Sequence, residues 1–424
     1  MIRYQANLSQ YQSRLVHATD KRCYSLVMGH SMKKSIIATA LASVLAFSAQ
    51  ADINFSGFAT VVGGKTSGDD QVFRGYDNEF DLSTGSLFAI QANSDLGDGL
   101  SATVQMMARG SDDWDPEFAW AYLSYDATED WRLLFGRQRA PMYLYSDYLD
   151  VSYAYHWLRP PQAVYDAPFD TFDGIGSIYS TTVGDSFVTW HMIYGINDDK
   201  ETPINDTVLD TKFSDIFGGS LTWNYDWLTL RAAYFQTDAT FPLNEAPDTS
   251  AVSQIAAIQA GWAGLAATPF AAYAPIADEI GIVDDKITFA EFGVQIDYND
   301  WVIVGEITKL DLSKTIFPDQ DSWYLSVGKR MDSVMLHATY GNNKDSSEYL
   351  VAKYNVPSGV GLDGLIVPTQ FVQDSLDVDE DFYTIGVRWD FHPSVAFKAE
   401  FTNTEDDVLG KDVKLFQIGL VSVF

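Results

Sequence analysis

From Asp52 onward the chain is written in period two. Leu228, Leu230, Ala232 and Tyr234 share one side of a short run, while Thr229 and Arg231 share the other. Val395, Phe397, Ala399 and Phe401 alternate with Ala396, Lys398, Glu400 and Thr402 in the same way. A strand patterned like this has one apolar face and one wet face. In a soluble sandwich two apolar faces must meet each other, whereas in a membrane barrel they meet lipid and the polar faces line a lumen. The segments between the strands decide between the two.

Seven tight turns stand out, at Leu96–Gly99, Thr128–Asp130, Val183–Asp185, Asp226, Asn299–Asp300, Met331–Asp332 and Phe391–Pro393. They are rich in Gly, Asp, Asn or Pro, which tolerate turn conformations. Trp131, Trp227 and Trp301 open the strand after a turn, and Tyr125, Tyr225, Tyr298 and Trp389 close the strand before one. Aromatics gathered at one end of many strands read as a girdle at a membrane–water boundary, which a soluble barrel has no reason to build. Seven hairpins supply fourteen strands, and Asp52–Gly63 and Lys411–Phe424 add one at each end. The prediction is an all-β, antiparallel, up-and-down transmembrane β-barrel of about sixteen strands. Both chain ends lie on the short-turn side and the long loops on the other. Closure leaves no unpaired backbone edge in lipid.

One segment competes. Ala256 to Ala277 is 22 residues without a charge, long enough to span a bilayer as a helix. Pro269 and Pro275 would break its second half, so a long fifth loop with a short helix near Gln254–Ala267 is expected instead.

Near the N-terminus, Met32-Lys33-Lys34, the apolar run Ser35–Phe47 and Ser48-Ala49-Gln50-Ala51 have the layout of a secretory signal. Residues 32–51 are therefore expected to be removed, leaving 52–424 as the barrel domain, and 1–31 reads as an over-long start assignment or an extension. Cys23, the only cysteine, precedes the barrel, so no disulfide or cysteine-based metal site is expected there. Of 27 basic and 58 acidic residues, six basic and one acidic precede Asp52, leaving 21 against 57. That balance excludes a nucleic-acid partner and favours cations around the protein.

The third loop carries the most chemistry. Gly136-Arg137-Gln138-Arg139-Ala140-Pro141 is followed by Met142-Tyr143-Leu144-Tyr145-Ser146-Asp147-Tyr148-Leu149-Asp150, and aromatics continue through Tyr153, Tyr155, Trp157 and Tyr165 to Phe172. So aromatic a loop needs surface to cover, which a lumen supplies. Strand phase places Arg109, Arg132, Arg231, Arg330, Arg388 and Lys398 on the lumen face, since a charge on the lipid face costs roughly 2–4 kcal/mol at mid-depth. Arg132 and Arg330 adjoin turns. Tyr143, Tyr145, Tyr148 and Trp157 are candidates for stacking solutes, with packing against the wall as the alternative.

Gly-Arg-Gln, the Pro, and the acidic, aromatic loop resemble the trimeric general porins of Gram-negative bacteria; Arg137 to Pro161 is similar in particular to porins of marine gammaproteobacteria. The resemblance covers the barrel domain in layout, and this loop and the terminal strands in residues. It implies a homotrimer in the cell outer membrane, passing small hydrophilic solutes and ions passively. It further implies a third loop that folds inward and narrows the channel. Asp147 and Asp150 would form the acidic side of the constriction, Arg109, Arg132, Arg231, Arg388 and Lys398 its basic wall, and Arg137 and Arg139 loop anchors. The alternating last strand (Phe416, Ile418, Leu420) ending on Phe424 resembles the signal read by the β-barrel assembly machinery; Ser422 departs from the usual residue third from the end. Outer-loop acids (Asp69, Asp70, Asp112, Asp113, Asp198, Asp199, Asp377, Asp379, Glu380, Asp381) are candidates for divalent cations bridging to lipopolysaccharide. A channel specific for an oligosaccharide and a loop-presenting adhesin or receptor are the alternatives. His156, His191, His337 and His392 are scattered, and no Gly-x-Ser-x-Gly elbow occurs, so no catalytic residues, metal or cofactor are expected.

Overall fold

The computed structural model describes residues 52–67, 72–198, 202–204, 207–246, 250–312, 315–408 and 410–424. The signal segment 32–51, the stretch 1–31, and Asp69, Asp70 and Asp199 lie outside the described residues. The first half of the wall comprises β1 (Ile53–Ser67), β2 (Leu87–Gly97), β3 (Leu100–Arg109), β4 (Pro116–Asp126), β5 (Trp131–Arg139), β6 (Thr171–Val183) and β7 (Ser186–Asn197). A small hairpin, β8 (Thr202–Ile204) with β9 (Thr207–Leu209), sits in the fourth loop. The wall resumes with β10 (Lys212–Tyr225), β11 (Leu228–Phe241), β12 (Ile282–Tyr298), β13 (Trp301–Asp311) and β14 (Asp319–Met331). It ends with β15 (Val334–Ser346), β16 (Val378–His392), β17 (Val395–Asp406) and β18 (Lys411–Val423).

Sixteen of these strands pair antiparallel with their neighbours in one closed barrel. β1 closes it on β18, from Phe58 opposite Val423 to Ser67 opposite Lys414. All seven expected turns are present. Their residue types have a backbone reason: Asp98, Asp226, Asn299, Asp300 and Asp332 are left-handed, as are Gly97, Gly99 and Gly184, and only Gly, Asn and Asp enter that region readily. Trp131, Trp227, Trp301, Tyr125, Tyr225, Tyr298 and Trp389 are all exposed on the turn side, as a girdle requires. Phe416, Leu420 and Phe424 are exposed on the outer face of β18, and Phe424 stacks on Phe88 at 6.0 Å.

The long loops do not stay outside. Loop three, from Ala140 to Asp170, packs against the inner wall in two apolar clusters. Met142, Tyr143 and Phe169 meet Phe213, Phe235, Ile287 and Phe289 in one; Leu144, Tyr145, Tyr155 and Trp157 meet Val304, Tyr324 and Phe382 in the other. Loops five and seven supply four helices: α1 (Ala251–Ala263), α2 (Ile276–Ile280), α3 (Leu350–Lys353) and α4 (Asp363–Leu376). The Ser250 hydroxyl accepts from the Ser253 amide and caps α1. The expected helix is therefore real, and a tight 3-10 turn continues it through Ala267. No helix among the described residues is long and apolar enough to cross a membrane. The helices share a core around Trp262, whose indole N–H donates to Thr369 Oγ1 at 2.8 Å. Phe241 and Phe317 pack against both this core and the lumenal one. The helical cap thus continues the apolar filling beside β10–β13.

Candidate functional site: a lumen divided by loop three

β5 delivers loop three into the barrel, and Gly136 makes the approach possible. Its φ is 128°, and a Cβ there would stand 2.3 Å from the Ala121 carbonyl oxygen. The strand then runs on to Arg139, further than the pattern of apolar residues reaches, and this sets the phase of Arg137, while Arg139, its last residue, leaves the alternation. Arg139 turns inward. Arg137 does not anchor the loop: it shares the phase of lipid-facing Phe135 and pairs with Asp173 of β6, at 3.0 and 2.7 Å, on the outer face.

Asp150 is not a free constriction acid. It is buried between two guanidinium groups, 2.7 Å from Arg109 Nη1 and 2.5 Å from Arg139 Nη2. Burial disfavours its charge, but Arg139 and Arg109 outweigh that and hold the carboxyl below the usual range. Arg109 also faces Glu117 at 3.5 Å, and Arg139 faces Asp170 at 3.0 Å. Asp147 remains exposed.

The wall cations face inward as the strand phase requires, but three of them grip the loop instead of lining the water. Lys398, fully buried, donates to the carbonyl oxygens of Ser152, Tyr155 and Trp157, with 2.8 Å to Tyr155. Arg388 donates to the carbonyls of Tyr153 and Tyr155 at 2.8 and 2.6 Å and closes on Asp390. Arg231 donates to the Pro141 carbonyl and lies 3.6 Å from Glu291. Loop three has no regular secondary structure over most of its length, so its carbonyls need donors once they are removed from water. Arg132 and Arg330 sit at the turn end, paired with Asp126 and Asp297.

Wall carboxylates hold the loop's donors in turn. Glu306 accepts from the Leu144 amide at 2.9 Å and from the hydroxyls of Tyr165 and Tyr324. Glu400 accepts from the Leu158 amide at 2.8 Å. The histidines are less scattered than in sequence. His156 and His337 stand 4.9 Å apart, and His156 Nε2 is 2.9 Å from Ser326 Oγ. Burial, with His337 and Lys398 nearby, keeps the His156 imidazole well toward its neutral form. Trp157, at 1% exposure, lies against His156 at 3.7 Å between ring centroids and donates to Thr339 Oγ1. Tyr143, Tyr145 and Trp157 are thus committed to packing and have no face for a solute; Tyr148 keeps one, at 36% exposed.

Cavities remain on both sides of the loop. One of about 280 Å³ lies toward the turns, between Tyr148, Tyr155, Arg330 and Arg388. Another, of about 240 Å³, is lined by Arg109, Asp150, Arg159 and Asp170. A third, of about 700 Å³, lies between the inner wall of β15–β17, the descending half of loop three, and loop one. Loop one bends in toward β1: the amides and carbonyls of Gly64 and Asp81 exchange bonds of 2.9 Å, and Tyr76 is 2% exposed. This brings Arg74 into the cavity wall, opposite Glu380 and beside Asp166. Burial disfavours the charge on Arg74 and on Asp166; Glu380, Asp166 and Glu400 act to keep Arg74 charged. Sequence reasoning missed Arg74, Arg159, Asp166 and Asp345. Glu380, taken there for an outer-loop acid, faces inward from β16. Asp379 and Asp381 also belong to β16, bonded to Lys344 and to the Tyr340 hydroxyl.

A family model described as Gram-negative porin matches residues 38–407. No curated protein matches the sequence. Among solved structures, a loop-deletion mutant of OmpT, an outer membrane protein of Vibrio cholerae, is 15% identical with a TM-score of 0.54, covering 88% of this chain and 99% of that one. The anion-selective porin of Comamonas acidovorans is 11% identical with a TM-score of 0.54, over 88% and 100%. The outer membrane channel DcaP of Acinetobacter baumannii is 12% identical with a TM-score of 0.51, over 88% and 97%. At these identities the likeness is one of fold.

Proposed function

This chain belongs to the Gram-negative porin family, and from that premise we propose that it carries small hydrophilic solutes and ions across the outer membrane, with a preference for cations. Family and fold make it an outer-membrane channel for passive diffusion. What supports the finer reading is the charge left facing water. Arg231, Arg388 and Lys398 are spent on loop carbonyls and Arg109 and Arg139 on Asp150, so that among the described residues the unpaired carboxylates of Asp147, Asp166, Asp345 and Glu380 outnumber the unpaired guanidinium groups of Arg74 and Arg159. A lumen with unmatched carboxylates draws in cations and repels anions. A reversal potential measured across a salt gradient is expected to carry the sign of cation selectivity; anion selectivity, as in the Comamonas acidovorans porin, would contradict it.

The oligosaccharide alternative loses the aromatics it relied on, since three of the four are buried. We further propose a homotrimer. The four consecutive strands β2–β5 are short, at 9–11 residues. The outward phase there includes Ala92, Ser94, Ala102 and Ala108, small residues that suit packing against another protein wall. The detergent-solubilised protein, unheated, is expected to show three times the protomer mass by light scattering. Contacts with lipopolysaccharide through divalent cations, and delivery by the assembly machinery through the strand ending at Phe424, belong to the same proposal.

A further inference from the structure

The 700 Å³ cavity lies within the range of about 300–1,000 Å³ typical of small-molecule sites. Its charges are arranged opposite to what the resemblance implies: the wall supplies carboxylates (Asp345 from β15, Glu380 from β16), and the loops supply guanidinium groups (Arg74 from loop one, Arg159 from loop three). Neither Arg74 nor Arg159 makes an ion pair with a described residue, in contrast to the clamped arginines of the wall. Asp166 projects from loop three into the same space. Arg74 also holds a left-handed backbone, φ 53°, which disfavours a side chain of this kind.

Resting on the channel reading above, we infer that this cavity is a saturable recognition site for a dipolar solute, one carrying an ammonium and a carboxylate a few bonds apart, as a short peptide does. Asp166, Asp345 and Glu380 take the ammonium. Arg159 and Arg74 take the carboxylate, each able to present two parallel N–H donors to it. A plain cation satisfies only the first group and leaves the guanidinium groups unmatched. A plain anion meets the excess of carboxylates. Arg159 also borders the 240 Å³ cavity, which places it where a bound solute leaves the larger one.

The test is block of ion current through the full-length mature protein in a planar bilayer, using three ligands of nearly equal size: triglycine, triglycine amide and N-acetyltriglycine. Triglycine is expected to block saturably, at a concentration about tenfold or more below that of either singly charged analogue. Arg159→Gln and Arg74→Gln should each erase the advantage of triglycine over its amide while leaving block by the amide in place. Asp166→Asn should weaken triglycine and the amide together. Equal or tighter block by the amide would reduce the cavity to a cation trap and overturn the inference, as would an open channel that none of the three blocks. Absence of any conductance would instead overturn the channel reading beneath it.

Discussion

Lys398→Met is expected to release the middle of loop three. The ammonium is fully buried and is shared by the carbonyls of Ser152, Tyr155 and Trp157. Methionine fills similar space but donates nothing, so the carbonyls of Ser152 and Trp157 lose this donor in a site that water does not reach, while that of Tyr155 keeps Arg388. Each orphaned group costs about 1–3 kcal/mol. Relaxation of the loop offsets part of this, and the net loss is expected at roughly 2–4 kcal/mol. The change should appear as proteolytic cleavage between Val151 and Leu158 in a barrel that otherwise resists, and as larger, noisier single-channel currents. A variant with wild-type protection and current would show that packing around Trp157 and the Glu400 contact to Leu158 suffice.

Asp150→Asn should have a comparable effect at the other shoulder of the loop. The substitution keeps the shape but removes the charge between Arg109 and Arg139, leaving two guanidinium groups facing each other. Breaking a buried ion pair by neutralising one member costs about 3–5 kcal/mol. The wild-type pairing also has a defined acid limit. The carboxyl of Asp150 is held lower in the folded protein than the roughly 3.9 of an unfolded aspartate. Its contribution is therefore complete above about pH 4 and is lost as the pH falls through the folded value. Limited proteolysis of loop three between pH 7 and pH 4 should be flat for the wild type, with loosening only below. Asp150→Asn should be loose throughout, and without that acid step at this site. A variant as protected as wild type would mean that the two arginines are held by Glu117 and Asp170 alone.

The wall was legible because it is local. A period-two run reports its own two faces, and turns such as Asn299–Asp300 report a left-handed backbone through residue type. The inward phase of Arg109, Arg231, Arg388 and Lys398 followed from the same arithmetic. What these cations do once inside did not follow. A lumenal lysine looks the same in sequence whether it meets water or three carbonyls, and those carbonyls lie more than two hundred positions away. Arg137 was misplaced by a count: the strand runs to Arg139 on the strength of Gly136, so that residue belongs to the wall and not to the loop. Arg74 could not be found by pattern at all, because its place in the cavity wall depends on loop one pairing back onto β1 through Gly64 and Asp81. The one available signal was the mixture of aromatics with Arg74, Asp81 and Gly85 in a stretch too rich in packing residues for a solvated loop.

The account stands on a closed sixteen-strand wall with water inside it, narrowed but not filled by a clamped loop. Planar-bilayer recording of the purified, folded barrel tests this most directly. The prediction is uniform stepwise openings, ohmic at low voltage, whose size rises on Lys398→Met. A folded, inserted barrel that leaves the bilayer electrically silent at every voltage would contradict it.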